Sequence, residues 1–320
     1  MRRAVFLFFA TLSCAVPAAA FAQKTDVPPA WAYPMNPPGF KPAPDDGTFR
    51  RVPDSALALT LTQVNDPYST SDWHPGDHPP LPDVVAHGRK PGVLACGFCH
   101  RADGPGGPES ADLMGLPADY ILQQISDFKA GVRRGSVQAR VPGKLMSSIA
   151  KSLTPDGAKA AAGYFSSIKP RPIVRVVEAD TAPKVHVAAW FLVPTASGER
   201  EPIGQRIIEV PDNLAQYISR DSRAHFTAYV PVGSIEQGKS LAENGGKTIE
   251  CRNCHGTDLR GDNSVPSIAG RSPTYIFRQL YDFKHDVRLG SGGEIMGPIV
   301  DKLSVSDMIS LAAYTASLPP

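Results

Sequence analysis

The sequence predicts a mainly α-helical protein in which two copies of one helical domain are joined by a small β-containing insert and preceded by an extended, Pro-rich arm. Two stretches of the 320-residue chain align with each other, and each begins with a CxxCH motif. Short β-like runs bounded by Pro and Gly lie between the copies, and many of the 32 prolines precede the first copy. The chain length also fits about two domains.

The duplication is recognised from two alignments without gaps. Residues 115–135 align with residues 270–290, and ten of the 21 positions are identical. Ile121, Ile125 and Phe128 recur at helical spacing, as do their counterparts, so we expect one amphipathic helix in each copy. After five extra residues in the first copy, residues 146–170 align with residues 296–320. This second match predicts a terminal helix in each copy.

The chemistry-bearing motif of each copy is a pair of cysteines followed directly by histidine. Cys96, Cys99 and His100 form the first motif, and Cys251, Cys254 and His255 form the second. Two cysteines at this spacing can form thioethers to the two vinyl groups of one porphyrin while the histidine binds the iron, which is the pattern of c-type haem attachment. A zinc knuckle or a thioredoxin-like redox pair is the alternative, although neither requires histidine at this position. We therefore expect two covalently attached haem c groups.

Met146 and Met296 are the predicted sixth ligands of the two irons. They are the methionines that occur at equivalent positions in both copies, whereas Met114 aligns with Ala269 and Met308 with Ala158. None of the remaining histidines is duplicated, which argues against bis-His ligation. His–Met ligation gives a haem suited to electron transfer and not to substrate binding at iron.

Four polar residues on the repeated helix are candidate donors to the haem propionates: Tyr120, Tyr275, Arg133 and Arg288. Tyrosine and arginine are natural hydrogen-bond donors to carboxylates. Surface solvation combined with helix pairing explains the same residues equally well. Both interpretations stay open at this point.

The N-terminus predicts a secretory signal peptide in residues 1–22, with cleavage after Ala22. Arg2 and Arg3 precede a short apolar run that ends in a small-x-small sequence. A retained membrane anchor is the alternative, but the apolar run is short for a bilayer span. Loss of the leader removes both arginines and Cys14, leaving a nearly neutral chain with no basic tract for nucleic acid and no transmembrane segment. The expected location is the periplasm, where haem attachment takes place.

The order of motif, glycine, YIxxQ helix, methionine and Ala-Ala-Tyr-type helix resembles tandem class I dihaem cytochromes of the cytochrome c4 type. The resemblance implies cytochrome c domains at 81–170 and 231–320, opened by helices at 83–89 and 234–243 with Gly88 and Gly238 at close helix contacts. It also implies that a Pro-x-Leu-Ala-Gly carbonyl orients the proximal histidine. The second copy has Pro266 there, but the first has Ala111, which leaves open the carbonyl for His100.

Two segments lie outside the resemblance. The arm, 23–80, is expected to wrap the first domain as extended chain or to act as a flexible tether. The insert, 171–230, contains β-like runs at 173–177, 184–193 and 205–210, which predict a hairpin or a three-stranded sheet. We expect the insert to brace the two domains, and partner docking is the alternative.

The predicted function is single-electron transfer to or from redox proteins such as a terminal oxidase, a bc1-type complex or a periplasmic dehydrogenase. The alternative, from another functional class, is a dedicated cytochrome subunit of a dehydrogenase complex. A dihaem peroxidase requires an open iron site, which two matched methionines argue against. A thiosulfate-oxidising dihaem enzyme uses a distal cysteine, and all four cysteines after the leader lie in the CxxCH motifs.

Overall fold

The computed structural model describes residues 27–320, so the predicted leader and Cys14 lie outside the described residues. The arm contains one short helix, α1 (Leu61–Val64), which begins at a Thr60 capping box. The first helical unit follows with α2 (Asp83–Ala86), α3 (Cys96–His100), α4 (Ala118–Ala130), α5 (Val141–Ser152) and α6 (Pro155–Ser167). Between residues 27 and 320, no helix is long and apolar enough to span a membrane.

The insert is more elaborate than the sequence predicted. It holds seven strands and a short helix: β1 (Val174–Glu178), β2 (Thr181–Pro183), β3 (Val185–Ala188), β4 (Phe191–Pro194), β5 (Arg200–Pro202), β6 (Ile208–Pro211), α7 (Leu214–Ile218) and β7 (Phe226–Val230). β7 lies in the middle of a three-stranded sheet, parallel to β1 and antiparallel to β6. β2 pairs with β5 and β3 with β4, both antiparallel.

The run predicted as one strand, 184–193, is in fact a hairpin. It turns at Ala189 and Trp190, whose φ angles are +47° and +72°. Two successive positive φ angles give a turn whose twist matches that of the flanking strands. The sequence lacks the Asn-Gly or Asp-Gly pair that ordinarily signals such a turn. Without that signal, the residues of β3 and β4 look like one continuous strand.

The second helical unit repeats the first with α8 (Ser234–Asn244), α9 (Arg252–His255), α10 (Pro273–Lys284), α11 (Ser291–Val300) and α12 (Val305–Ser317). Side chains at the helix starts set the boundaries: Ser272 accepts from the amide of Tyr275, and Ser304 forms a capping box with Asp307. α8 and α12 cross closely at Gly238, where a Cβ atom would collide with the carbonyl of Ser310. This agrees with the close helix contact predicted at that glycine.

Gly88 does not have the corresponding role in the first unit. α2 ends at His87, which is extended (φ −130°, ψ 145°), so the predicted helix stops before Gly88. A Cβ at Gly88 would meet the side chain of Tyr68 and the backbone of Val93, which belong to the arm and to a following turn. The glycine is needed for packing against these segments and not for a helix crossing.

The first described part of the arm lies on the second unit. The Trp31 and Phe277 rings lie 4.6 Å apart between centroids, and the Tyr33 hydroxyl donates to Asp282 at 2.7 Å. The later part of the arm lies by the first unit and the insert, where the Trp73 indole donates to the Ser219 carbonyl at 2.7 Å. The expectation that the arm wraps the first unit was therefore wrong for its start, because these aromatics pack on α10.

Candidate haem sites

Each CxxCH motif lies on a one-turn helix, and its histidine is oriented by a backbone carbonyl. His100 Nδ1 lies 2.8 Å from the carbonyl oxygen of Ala111, and His255 Nδ1 lies 2.8 Å from that of Pro266. Since a carbonyl only accepts, Nδ1 must donate, and Nε2 carries the lone pair that a metal would bind. Ala111 aligns with Pro266, so the first copy keeps the orienting carbonyl without the proline ring.

Burial shifts the pKa of both histidines and of the first cysteine in each motif. Desolvation lowers the pKa of His100 and of His255, so both rings are neutral. It raises the pKa of the Cys96 thiol to about 12 and that of Cys251 to about 11. Among residues 27–320, no cluster of three or more His, Cys, Asp or Glu side chains is arranged to hold a metal ion.

A large cavity of about 2480 Å³ is lined by both motifs. Ligand pockets are commonly about 300–1,000 Å³, so this space exceeds what one small ligand needs. The wall is mostly apolar, with Leu116, Ile121 and Ile125 beside the first motif and Ile268, Ile276 and Leu280 beside the second. A pair of large, flat, mainly apolar groups anchored at the two motifs fits this space and the neutral histidines.

Both predicted methionine ligands line the cavity. Met146 lies in α5 and Met296 in α11, and both are partly buried. Each therefore occupies a helix immediately before the terminal helix of its unit. Met114 and Met308 are instead 0% and 1% exposed in the two hydrophobic cores, and Arg171 donates to the Met114 sulfur at 3.0 Å. The structure thus separates the duplicated methionines from the two that are core residues.

The four candidate propionate donors also line the cavity, where they meet across the contact between the two units. Arg133 donates to the Tyr275 hydroxyl at 2.9 Å, and Arg288 donates to the Tyr120 hydroxyl at 2.9 Å. The backbone repeats this reciprocity, because the Arg134 amide donates to the Val287 carbonyl and the Leu289 amide to the Val132 carbonyl, both at 2.8 Å. The cluster therefore has approximate twofold symmetry.

Gln124 and Gln279 complete this cluster, and sequence reasoning had assigned no role to either. The Gln124 carbonyl oxygen accepts from Arg133 at 2.7 Å and from Arg288 at 2.9 Å. The Gln279 oxygen accepts from Arg288 at 2.9 Å and from Arg133 at 3.2 Å. Their identity in the two copies was the available signal, but it did not distinguish an interface from a cofactor contact.

Two buried cations dominate the electrostatics of the cluster. Arg133 and Arg288 are 7% and 6% exposed, and the hydrogen-bonded groups described above are uncharged hydroxyls and amides. Burial raises the pKa of Tyr120, but the guanidinium groups of Arg288 and Arg133 more than offset it and lower the pKa overall. Burial and the charge of Arg133 lower the pKa of Arg288. A cavity wall of this kind is suited to anionic groups such as carboxylates.

The chain is similar to several bacterial proteins of known name. No family model matches the chain. Cytochrome c4 of Azotobacter vinelandii is 24% identical over 243 residues, which cover 71% of this chain and 85% of the relative. The thiosulfate dehydrogenase electron acceptor of Stutzerimonas stutzeri is 24% identical, covering 72% and 82%. The cytochrome subunit of sulfide dehydrogenase from Chlorobaculum tepidum is 33% identical over 82 residues, covering 25% of this chain and 72% of the relative.

Proposed function

Because the chain belongs to the c-type cytochromes, as a cytochrome c4-like dihaem cytochrome with two covalently bound haem c groups, we propose that it carries single electrons between redox proteins in the periplasm, with His–Met ligation at both irons. Haem iron cycles between Fe(III) and Fe(II) and supplies the redox chemistry. The protein supplies attachment, axial ligands and an enclosed environment. The observation that carries the proposal is that the matched histidine and methionine of both units line one shared cavity.

His100 and His255 are the proximal ligands in this proposal. Their Nδ1 protons are held by the carbonyls of Ala111 and Pro266, each at 2.8 Å, which fixes the ring orientation and directs Nε2 to the iron. Met146 and Met296 are the distal ligands. If both methionines held the irons, no site would be left there for peroxide, which favours an electron carrier over a peroxidase.

Arg133, Arg288, Tyr120 and Tyr275 are proposed to serve the propionates as well as the contact between the units. Burial and the charge of Arg133 lower the pKa of Arg288, so a propionate carboxylate beside Arg288 would stabilise its charge, whereas the neighbouring tyrosines and Asp282 already raise the pKa of Arg133. The two earlier interpretations of these residues are therefore compatible. One cluster can join the units and also receive the negative ends of the cofactors.

The proposed partners are electron-donating dehydrogenases and electron-accepting oxidases or bc1-type complexes. Relatives named as the electron acceptor of thiosulfate dehydrogenase and as a subunit of sulfide dehydrogenase support the first group. Periplasmic location rests on the predicted leader and on c-type haem attachment. Because a carrier must exchange with more than one protein, we favour a free carrier over a permanent subunit of a dehydrogenase complex.

Optical and EPR spectra of the holoprotein in both redox states test the ligation. The long-wavelength absorption band of Met-ligated Fe(III) is expected in the wild type and should lose about half its intensity in Met146→Ala and in Met296→Ala. Met308→Leu is the matched control, because this core methionine is 1% exposed. Absence of the band in the wild type refutes His–Met ligation, and rapid turnover of peroxide by the reduced protein refutes the carrier function.

A further inference from the structure

The two haem-attachment segments differ sharply in exposure. All residues from 101 to 108, which follow the first motif, are buried. Among the equivalent residues 256–263, Leu259 is the one that is buried. The same contrast holds within the motifs, since Cys254 is exposed and Cys99 is not. The helical units bury part of the first segment, since Tyr164 donates to the Ala102 carbonyl and Arg278 to the Pro108 carbonyl, and the insert adds cover at Gly107 through Tyr217.

The insert covers the first segment from one side. The Arg220 guanidinium stacks on the Phe98 ring at 3.7 Å and donates to the Phe98 carbonyl at 2.9 Å. The Tyr217 hydroxyl donates to the Glu109 carboxylate, and the Arg101 guanidinium lies 4.8 Å from the centre of the Tyr217 ring. Arg220 is a non-glycine residue at φ +60°, a conformation held by these contacts.

The arm contacts the start of the first motif and is hydrogen-bonded to the insert. The Ala95 amide, directly before the first motif, donates to the Pro67 carbonyl at 3.0 Å. Arg220 Nε donates to the Val64 carbonyl at 3.1 Å, and the Trp73 indole bonds the insert at Ser219. We call arm residues 64–73 and insert residues 214–222 together the cap.

The equivalent surface of the second unit is open. Phe98 aligns with Asn253, which is exposed and bonds its neighbour Glu250 at 2.8 Å. Glu109, which Tyr217 holds, aligns with Ser264, which is exposed on the cavity rim. The two units therefore present different surfaces at the place where each haem is attached.

We propose that the cap closes the first haem site to redox proteins, so that partners exchange electrons with the chain only at the second unit, beside Asn253 and Ser264. This inference rests on the proposed carrier function and specifies where the carrier is approached. Each exchange moves one electron: the donor is oxidised, one iron goes from Fe(III) to Fe(II), and no atom is transferred. An electron reaches the first site from the second site within the chain.

Two cysteine variants of the holoprotein test this proposal. Ser264→Cys places a thiol on the open surface, and Ala215→Cys places one on the exposed side of α7 in the cap. Because the other cysteines after the leader carry haem, a bulky maleimide polyethylene glycol will label the new thiol. Stopped-flow absorbance then follows reduction by photoreduced flavodoxin, a protein donor, and by dithionite, a small one.

The label at Ser264→Cys should slow reduction of both haems by flavodoxin at least tenfold and change reduction by dithionite less than twofold. The label at Ala215→Cys should change neither more than twofold. If each label slows only half of the absorbance change, both units accept electrons directly and the proposal is wrong. If flavodoxin fails to reduce the unlabelled protein while dithionite succeeds, the carrier function itself fails.

A spectroscopic measurement checks the cap without electron transfer. A soluble gadolinium chelate should broaden the NMR signals of the methyl groups of one haem in the wild type and leave those of the other sharp. Arg220→Ala removes the stacking on Phe98, and the methyl signals of the haem in the first unit should then broaden as well. Equal broadening of both sets in the wild type would overturn the proposal.

Discussion

The cluster between the two units makes a sharp prediction about non-additive stability. Replacing Arg133 by Met removes its hydrogen bonds to Tyr275, Gln124 and Gln279. Both glutamine oxygens keep a donor, since Arg288 bonds Gln279 at 2.9 Å and Gln124 at 2.9 Å. The Tyr275 hydroxyl loses its hydrogen bond from Arg133. The first substitution therefore leaves most of the cluster satisfied.

The expected loss in the free energy of unfolding follows from the number of hydrogen bonds that are lost. One charged hydrogen bond contributes about 1.5–3 kcal/mol. Removing one of two neighbouring buried cations relieves repulsion, which the lowered pKa of Arg288 reflects along with burial. We expect each single variant, Arg133→Met or Arg288→Met, to lower the free energy of unfolding by about 1–2 kcal/mol. The double variant also leaves the oxygens of the buried Gln124 and the partly buried Gln279 without an arginine donor, at about 1–3 kcal/mol for the buried one.

The loss in the double variant should therefore exceed the sum of the single losses by about 2 kcal/mol. Urea unfolding of the holoproteins, followed by far-UV circular dichroism, measures all four corners of the cycle. The second substitution costs more than the first because it removes the last arginine donor from the glutamine oxygens. It also brings no further relief of repulsion, since one cation is already gone. Additivity within about 0.5 kcal/mol, or a double variant that loses less than the sum, would refute this account of the cluster.

Two further predictions concern stability. Gly238→Ala forces a Cβ against the Ser310 carbonyl and should lower the free energy of unfolding in urea by about 1–3 kcal/mol. Gly163→Ala is the control, because Gly163 lies on the exposed side of α6 with nothing within 4 Å, and it should be neutral or stabilising. Equal effects of the two substitutions would contradict the helix crossing. Burial raises the pKa of Asp112 to about 6 despite Arg271 at 3.1 Å, so the folded protein binds a proton that the unfolded chain has lost. The free energy of unfolding should fall by about 2 kcal/mol as pH rises from about 4 to 6, and a slope unchanged in Asp112→Asn would show that another group titrates.

The repeat made the helical elements predictable. Agreement between the copies defined the amphipathic helices, which the structure has as α4 and α10, and the terminal helices α6 and α12. Local signals also marked their ends, such as the prolines at the first position of α6 and α10 and the left-handed Gly131 after α4. Each of these features is encoded within a few residues, so sequence reasoning could reach it.

The insert and the arm were less predictable because their structure depends on distant partners. β1 pairs in parallel with β7, and Val174 lies beside Phe226 although about fifty residues separate them. A local pattern of alternating residues shows that a strand exists but not which strand it joins. In the same way, Trp31 and Tyr33 showed that the arm packs somewhere, but only the folded chain shows that the surface belongs to α10.

Identity between the two copies carried two kinds of information that sequence reasoning could not separate. A contact with approximate twofold symmetry uses the same patch of each unit, so a residue that matters at the contact is required twice. Gln124 and Gln279 illustrate this, since each accepts from the arginines of both units. A residue required by haem in each unit is also required twice.

Residues that differ between the copies carry the complementary information. Phe98 and Glu109 lie under the cap, whereas their counterparts Asn253 and Ser264 are exposed to solvent. The matched residues thus define what the two sites share, and the unmatched ones indicate which site a partner protein can reach.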